Sequence, residues 1–140
     1  MSSNLESDLS STTVATAGTS NAVSAGALFE FKDFSVGTIN IITLTNAKLQ
    51  EPAFINAVVT ATEAKTMALI DIGIKSFVDN CSWASGTTSD AIVIATTGTG
   101  SECNYAGTAT DIGQLIGYTV KNAVKKAVKN YQRHAGLTAL

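Results

Sequence analysis

Charge is scarce in this 140-residue chain: 14% of residues are Asp, Glu, Lys or Arg, against roughly a quarter in ordinary soluble domains. Nine basic and eleven acidic residues leave a net charge of −2, which offers no general attraction to a phosphate backbone. Nucleic acid is therefore not expected as a partner. Histidine occurs once, as His134 near the end, so a triad with a histidine base is excluded from the body of the chain. The two cysteines, Cys81 and Cys103, lack the paired spacing of a zinc site, and no metal is expected. Without a secretion signal they are read as free, reduced thiols. Proline occurs once, as Pro52, and no linker or repeat divides the chain. No uninterrupted run approaches the ~18–20 apolar residues of a membrane span. Met1 to Leu9 has neither a basic start nor an apolar stretch, unlike a signal peptide. The expectation is a cytoplasmic domain that does not enter the membrane.

What is present is apolar and small. Hydrophobic residues make up 45% of the chain, enough at this length for one core without staples. Residues 1–12 are Ser, Thr and acid and read as a loose start; 13–134 reads as one domain and 135–140 as a tail. Thr13 to Ala17 forms a short strand closed by Gly18, and Thr19 to Gly26 a small-residue loop or short helix. Thr38 to Thr45 is the clearest strand, with Ile39, Ile41 and Thr43 on one face. Ala91 to Thr96 is apolar on both faces, so it is expected to be central and covered on both.

Two helices are signalled. Pro52 suits a first helical turn, and Phe54, Ile55, Val58, Val59, Thr62, Met67, Leu69 and Ile70 follow at roughly helical spacing. Gly73 suits the terminator. The second helix starts after Thr110 or Asp111 as cap. Ile112, Leu115, Ile116, Val120, Val124, Val128 and Tyr131 form its apolar stripe. Lys121, Lys125, Lys126, Lys129 and Arg133 fall off that stripe toward its carboxyl end, where the helix dipole favours cations.

The unusual residues gather in a few places. Ser85-Gly86-Thr87-Thr88-Ser89-Asp90 sets hydroxyls and a carboxylate directly before an apolar strand. Asp90 there must find donors or stay near solvent; it reads either as a turn former bonded to its own backbone or as a carboxylate at the lip of a pocket. Glu63 is either a surface residue or an acid–base group. Thr97-Gly98-Thr99-Gly100-Ser101 lacks the lysine of a phosphate loop.

Several blocks occur together in one order. Ala17-Gly18-Thr19-Ser20-Asn21-Ala22 precedes Val36-Gly37-Thr38-Ile39-Asn40-Ile41-Ile42. Asn56-Ala57-Val58-Val59-Thr60-Ala61-Thr62-Glu63-Ala64-Lys65-Thr66 follows, then Ser85-Gly86-Thr87-Thr88-Ser89-Asp90-Ala91. Tyr105-Ala106-Gly107-Thr108 and Gly113-Gln114-Leu115-Ile116-Gly117 complete the series. This series, spanning about Val14 to Tyr131, resembles the adenosylcobinamide amidohydrolase family. Family members are usually longer at the amino terminus. Between Thr108 and Gly113 they commonly carry a histidine and a lysine, where this sequence has Ala109 and Asp111.

The resemblance implies a hydrolase of corrinoid salvage for cobalamin synthesis. Such an enzyme cuts the amide between the cobyric acid portion of adenosylcobinamide and its aminopropanol arm. The corrinoid is then substrate, and no cofactor is expected. Asp90 or Glu63 would be the base toward water, Thr87 or Thr88. Asn40, Asn56 and Lys65 would be donors to the oxyanion, while Asn21, Tyr105 and Thr108 would contact the corrinoid. The alternative is a non-catalytic corrinoid-binding or oligomer-forming relative, and a homo-oligomer is expected in either case. The expected fold class is α/β: a layered sandwich with a mixed sheet covered by two main helices, with a second stacked sheet left open. The helix starts and strand ends are expected to converge on the site.

Overall fold

The computed structural model describes residues 8–30 and 35–137. Three strands form the main sheet: β1 (Ser11–Ala17), β3 (Ile39–Thr45) and β6 (Ala91–Thr96), in the order β1-β3-β6. β1 runs antiparallel to β3, with Val14 opposite Ile42, and β6 runs parallel to it, with Ile42 opposite Val93. The crossover from β3 to β6 is carried by α1 (Glu51–Asp71), and α2 (Asp111–His134) closes the chain. Two short ladders complete the fold: β2 (Ala22–Val23) with β5 (Gly86–Thr87), and β4 (Lys48–Leu49) with β7 (Glu102–Cys103). The architecture is α/β, with a mixed sheet and both helices on one of its faces. Of the loop between Gly18 and Gly26, the described part contains β2 rather than a helix.

Alternation along β3 decides which face is covered. Ile39, Ile41, Thr43 and Thr45 are buried under the helices, while Asn40, Ile42 and Leu44 are exposed. The same alternation holds in β1 and through the first half of β6, so the outer sheet face is bare: Val14, Ile42 and Val93 line up across the three strands. This corrects the expectation for Ala91–Thr96. Its apolar character on both faces suggested a central strand, but β6 is an edge strand and Val93 is 50% exposed. β1 also begins at Ser11 rather than Thr13. Just before it, Asp8 and Ser10 are docked, since Ser10 N–H donates to Asn46 Oδ1 at 2.7 Å and Ser101 Oγ to Asp8 Oδ1 at 2.6 Å.

α2 forms as its sequence dictates. Thr110 caps it, its hydroxyl accepting from Gly113 N–H at 3.1 Å, a contact worth about 0.5–2 kcal/mol. Ile112, Ile116, Val120, Val124 and Val128 are buried in one stripe, each contributing roughly 1.5–3 kcal/mol of burial. Lys121 and Lys125 do more than line a solvated face: both reach Asp71 at the end of α1, at 2.9 and 2.5 Å. They hold that carboxyl below its usual range, chiefly through hydrogen bonds from Lys125 and then Lys121.

α1 inverts its expected face. The buried side is Ala53, Ala57, Ala61, Ala64 and Ala68, joined by Thr60, Lys65 and Leu69. Ile55, Val58, Val59 and Met67 are exposed. Small side chains let the α1 backbone approach both the sheet and α2, so the larger residues must face outward. By length and composition this 21-residue helix is apolar enough to cross a membrane, although Thr, Glu and Lys interrupt its runs. Less than half of its most apolar stretch is buried.

Candidate functional site

The loop from β5 to β6 and the last third of α1 meet at the amino ends of the two parallel strands. Asp90, directly before β6, is the centre. Its Oδ2 accepts from Lys65 Nζ at 2.5 Å and from Thr87 N–H at 3.1 Å. Its Oδ1 accepts from Ile39 N–H at 3.1 Å and from the Thr87 hydroxyl. A carboxylate has about four acceptor positions, and here all four are filled. Both charged side chains are about nine-tenths buried, at 8% exposure for Lys65 and 11% for Asp90. A buried charge persists only when paired and hydrogen-bonded, so the cluster's hydrogen bonds are what permit the ion pair.

The backbone around it is shaped for close approach. A Cβ at Gly86 would collide with Asp90 Oδ2 and lie 2.6 Å from Lys65 Nζ, so only glycine leaves room for the pair. Asn21 extends the cluster. Its Nδ2 donates to Gly37 C=O at 2.8 Å and to Thr88 Oγ1 at 2.7 Å. Its Oδ1 is buried with no hydrogen-bond partner and lies so near Gly37 that a Cβ there would overlap it. Thr38 Oγ1 donates to Ser89 C=O at 2.8 Å, and Ser89 Oγ donates back to Gly37 C=O at 3.1 Å. Thr88 and Ser89 are exposed, so the cluster opens to solvent on that side.

The ten candidate residues fall in four places. Asn21, Lys65, Thr87, Thr88 and Asp90 are brought together in this cluster. Glu63 is exposed on α1; at 100° per residue it points roughly 160° away from Lys65, so it does not join them. Asn40 is on the bare sheet face and donates to Thr16 Oγ1 at 3.2 Å. Asn56, Tyr105 and Thr108 belong to the other end of α1. There Asn56 Oδ1 accepts from Ala106 N–H at 3.5 Å and Tyr105 is exposed. Lys65 is nine positions after Asn56, about 13 Å along the helix and roughly 180° around it. The expected convergence of helix starts and strand ends therefore does not occur: the Lys65 cluster sits near the end of α1.

A recess of about 480 Å³ lies by the start of α2, lined by Asp8, Glu102, Cys103, Tyr105 and Asp111 among others. Its one hydroxyl–carboxylate contact, Ser101 Oγ donating to Asp8 Oδ1, is exposed, whereas the Asp90 carboxylate is nearly buried and held by Lys65 as well as by Thr87, so the chemistry points to the Lys65 cluster instead. Burial, then the Asp8 and Asp111 charges, push the Cys103 thiol up. Both cysteines are free. Among the described residues no group of three or more His, Cys, Asp or Glu side chains is placed to hold a metal.

Sequence reasoning gave no role to the Ile39 amide or to the Gly37 carbonyl, because backbone groups carry no residue signature. The burial of Lys65 did leave a trace. It continues the i, i+4 row of Ala57 and Ala61 on the small-residue face, a row that faces the core.

The adenosylcobinamide amidohydrolase family model matches residues 1–136. An adenosylcobinamide amidohydrolase of Methanosarcina mazei is 34% identical over 123 residues, 81% of this chain and 54% of the relative. One of Halobacterium salinarum is 32% identical over 120 residues, 81% of this chain and 48% of the relative. An uncharacterized protein of Methanocaldococcus jannaschii is 41% identical over 93 residues, 66% of this chain and 36% of the relative. The chain thus spans about half the length or less of the curated relatives it matches. No solved structure matches it.

Proposed function

Starting from a chain that belongs to the adenosylcobinamide amidohydrolase family, we propose that it hydrolyses the amide joining aminopropanol to the cobyric acid portion of adenosylcobinamide. The observation that carries this reading is the Thr87 hydroxyl, which donates a hydrogen bond to Asp90 Oδ1 while Lys65 holds the same carboxylate through Oδ2. A nucleophile, its base and a third group orienting the base are the parts of covalent catalysis. Thr87 Oγ1 adds to the amide carbonyl, and its proton passes to Asp90 Oδ1 along the existing hydrogen bond. No other donor need leave the filled carboxylate. The proton then goes to the departing amine as the C–N bond breaks, and water hydrolyses the resulting ester. The products are a corrinoid carboxylate and 1-amino-2-propanol.

Asn21 and Thr88 border the hydroxyl and are assigned to the amide-rich rim of the substrate. Asn56, Tyr105 and Thr108 take no part in this mechanism, since Asn56 lies about 13 Å along α1 and roughly 180° around it from Lys65. The corrinoid is substrate in this reading and no cofactor is invoked. The setting is corrinoid salvage in the cytoplasm.

One observation favours a second reading. Asp90 is saturated by four donors, the condition of an anchor as much as of a base. A protein using it so would bind the corrinoid without cutting it. Incubation with adenosylcobinamide separates the two. Release of 1-amino-2-propanol by the native protein and by Thr87→Ser, with loss of about 10²-fold or more in Thr87→Val, supports the hydrolase. Retention of corrinoid without release selects the binding protein.

A further inference from the structure

Addition of Thr87 Oγ1 to an amide moves the carbonyl electron pair onto the acyl oxygen, and that developing charge needs a donor. The three donors expected from the sequence do not serve it. Asn40 is bonded to Thr16 on the bare sheet face, Asn56 lies toward the other end of α1, and Lys65 is held by Asp90. A hydroxyl proton with no protein acceptor stands on the very next residue, Thr88.

Asn21 sets the direction of that proton. The Gly37 carbonyl can only accept, so the amide nitrogen of Asn21 faces it, at 2.8 Å. The second proton of the same nitrogen goes to Thr88 Oγ1 at 2.7 Å. Asn21 Oδ1 packs against Gly37 where a Cβ would sit, and Asn21 is 4% exposed, so the amide is held in place. Thr88 Oγ1 is thereby an acceptor toward Asn21, and its own proton points elsewhere. Among the described residues nothing accepts that proton, and Thr88 is on the open side of the cluster. Accepting one hydrogen bond also polarises a hydroxyl into a stronger donor. Both threonines are anchored on one stretch of three residues. Thr88 is tied through Asn21 to the Gly37 carbonyl, and Thr87 through Asp90 to the Ile39 amide.

We propose that the Thr88 hydroxyl is the oxyanion donor of the site and that Asn21 is its positioning residue, an inference that rests on the hydrolase reading above. As the bond from Thr87 Oγ1 to the acyl carbon forms, the carbonyl pair moves onto oxygen and Thr88 Oγ1–H donates to it. No proton is transferred in this contact. The pair returns when the C–N bond breaks and the amine leaves. Two adjacent hydroxyls are thus sorted by their partners: Thr87 faces a carboxylate that takes its proton, and Thr88 faces an amide that leaves its proton free.

Steady-state hydrolysis of adenosylcobinamide by the full chain is the test, with circular dichroism to show that each variant is folded. Thr88→Val should lower kcat about 10²-fold or more and change KM by less than about threefold, the pattern of a contact made in the transition state. Thr88→Ser keeps the donor and should stay within about tenfold of the native kcat. Asn21→Asp gives Thr88 a carboxylate that accepts its proton, so kcat should fall about as far as in Thr88→Val. A Thr88→Val variant that keeps the native kcat, or changes KM alone, overturns the proposal and leaves the hydrolase reading standing. An Asn21→Asp variant as fast as the native protein or faster also overturns it, because Thr88 would then need a base rather than a donor. A native protein that retains the corrinoid without releasing 1-amino-2-propanol overturns both readings together.

Discussion

Lys65 and Asp90, twenty-five residues apart in sequence, meet at 2.5 Å between Nζ and Oδ2 at a position where each is about nine-tenths hidden from water. The pair ties the end of α1 to the start of β6. Removing one partner leaves the other charge buried and alone, which typically costs 3–5 kcal/mol. Asp90→Asn should therefore lower the unfolding free energy by about that amount. Lys65→Met in the Asp90→Asn background should restore half or more, because the stranded cation is gone. Urea denaturation measures both. A double variant no more stable than Asp90→Asn would contradict the ion pair.

Gly86 has no room for a side chain, since an added Cβ would collide with Asp90 and crowd Lys65. Gly86→Ala should cost on the order of 1–3 kcal/mol by overpacking. It should also lower any hydrolytic turnover, as Thr87 shifts with its neighbour. Gly107→Ala, where an added Cβ meets nothing, is the matched control for turnover and for melting temperature.

The alanine face of α1 makes an unusual pattern of substitution costs. Ala61 is fully buried and Val59 is 49% exposed. Ala61→Leu should destabilise by about 1–3 kcal/mol or more, whereas Val59→Ala should stay within about 0.5 kcal/mol. Thermal unfolding of the two variants would settle the order.

Asp79 organises the turn after α1. Its carboxylate accepts from the Ser82 hydroxyl and from the Cys81 and Ser82 amides. These contacts, the Ser82 hydroxyl first, lower its pKa from 3.8 to about 2. A folded value below the unfolded one stabilises the protein above pH 3.8, and that contribution is lost as pH falls toward 2. Carbon-13 carboxyl shifts should show Asp79 titrating near 2, and Asp79→Asn should remove that part of the acid dependence.

The two thiols should react in order. Burial, Asp8 and Asp111 raise the Cys103 pKa, while Cys81 is exposed. Thiolate is the reactive form, so an aromatic disulfide reagent at pH 8 should label Cys81 in a fast phase and Cys103 in a slow one. Equal rates would contradict the environment described for Cys103.

Much of the fold is local and was legible. The stripe from Ile112 to Val128, the Thr110 cap and the alternation of β3 each follow from spacing within one segment, because one element's pattern reports its own covered face. The hydroxyl-rich turn ending in Asp90 was also visible as a place where a carboxylate needs donors. What the residues could not supply was the identity of those donors. Lys65, the Ile39 amide and Asn21 come from three other segments, and only chain crossing brings them to Asp90 and its neighbour Thr88. The inverted face of α1 has the same origin. Most of its large apolar residues read as core by hydrophobicity alone, but the close approach of sheet, α1 and α2 is filled chiefly by alanine, and that distance is a property of the packing. Val93 is the sharpest case. An apolar strand is bare or covered according to how many strands and layers surround it, so composition defined β6 as a strand and the tertiary structure made it an edge.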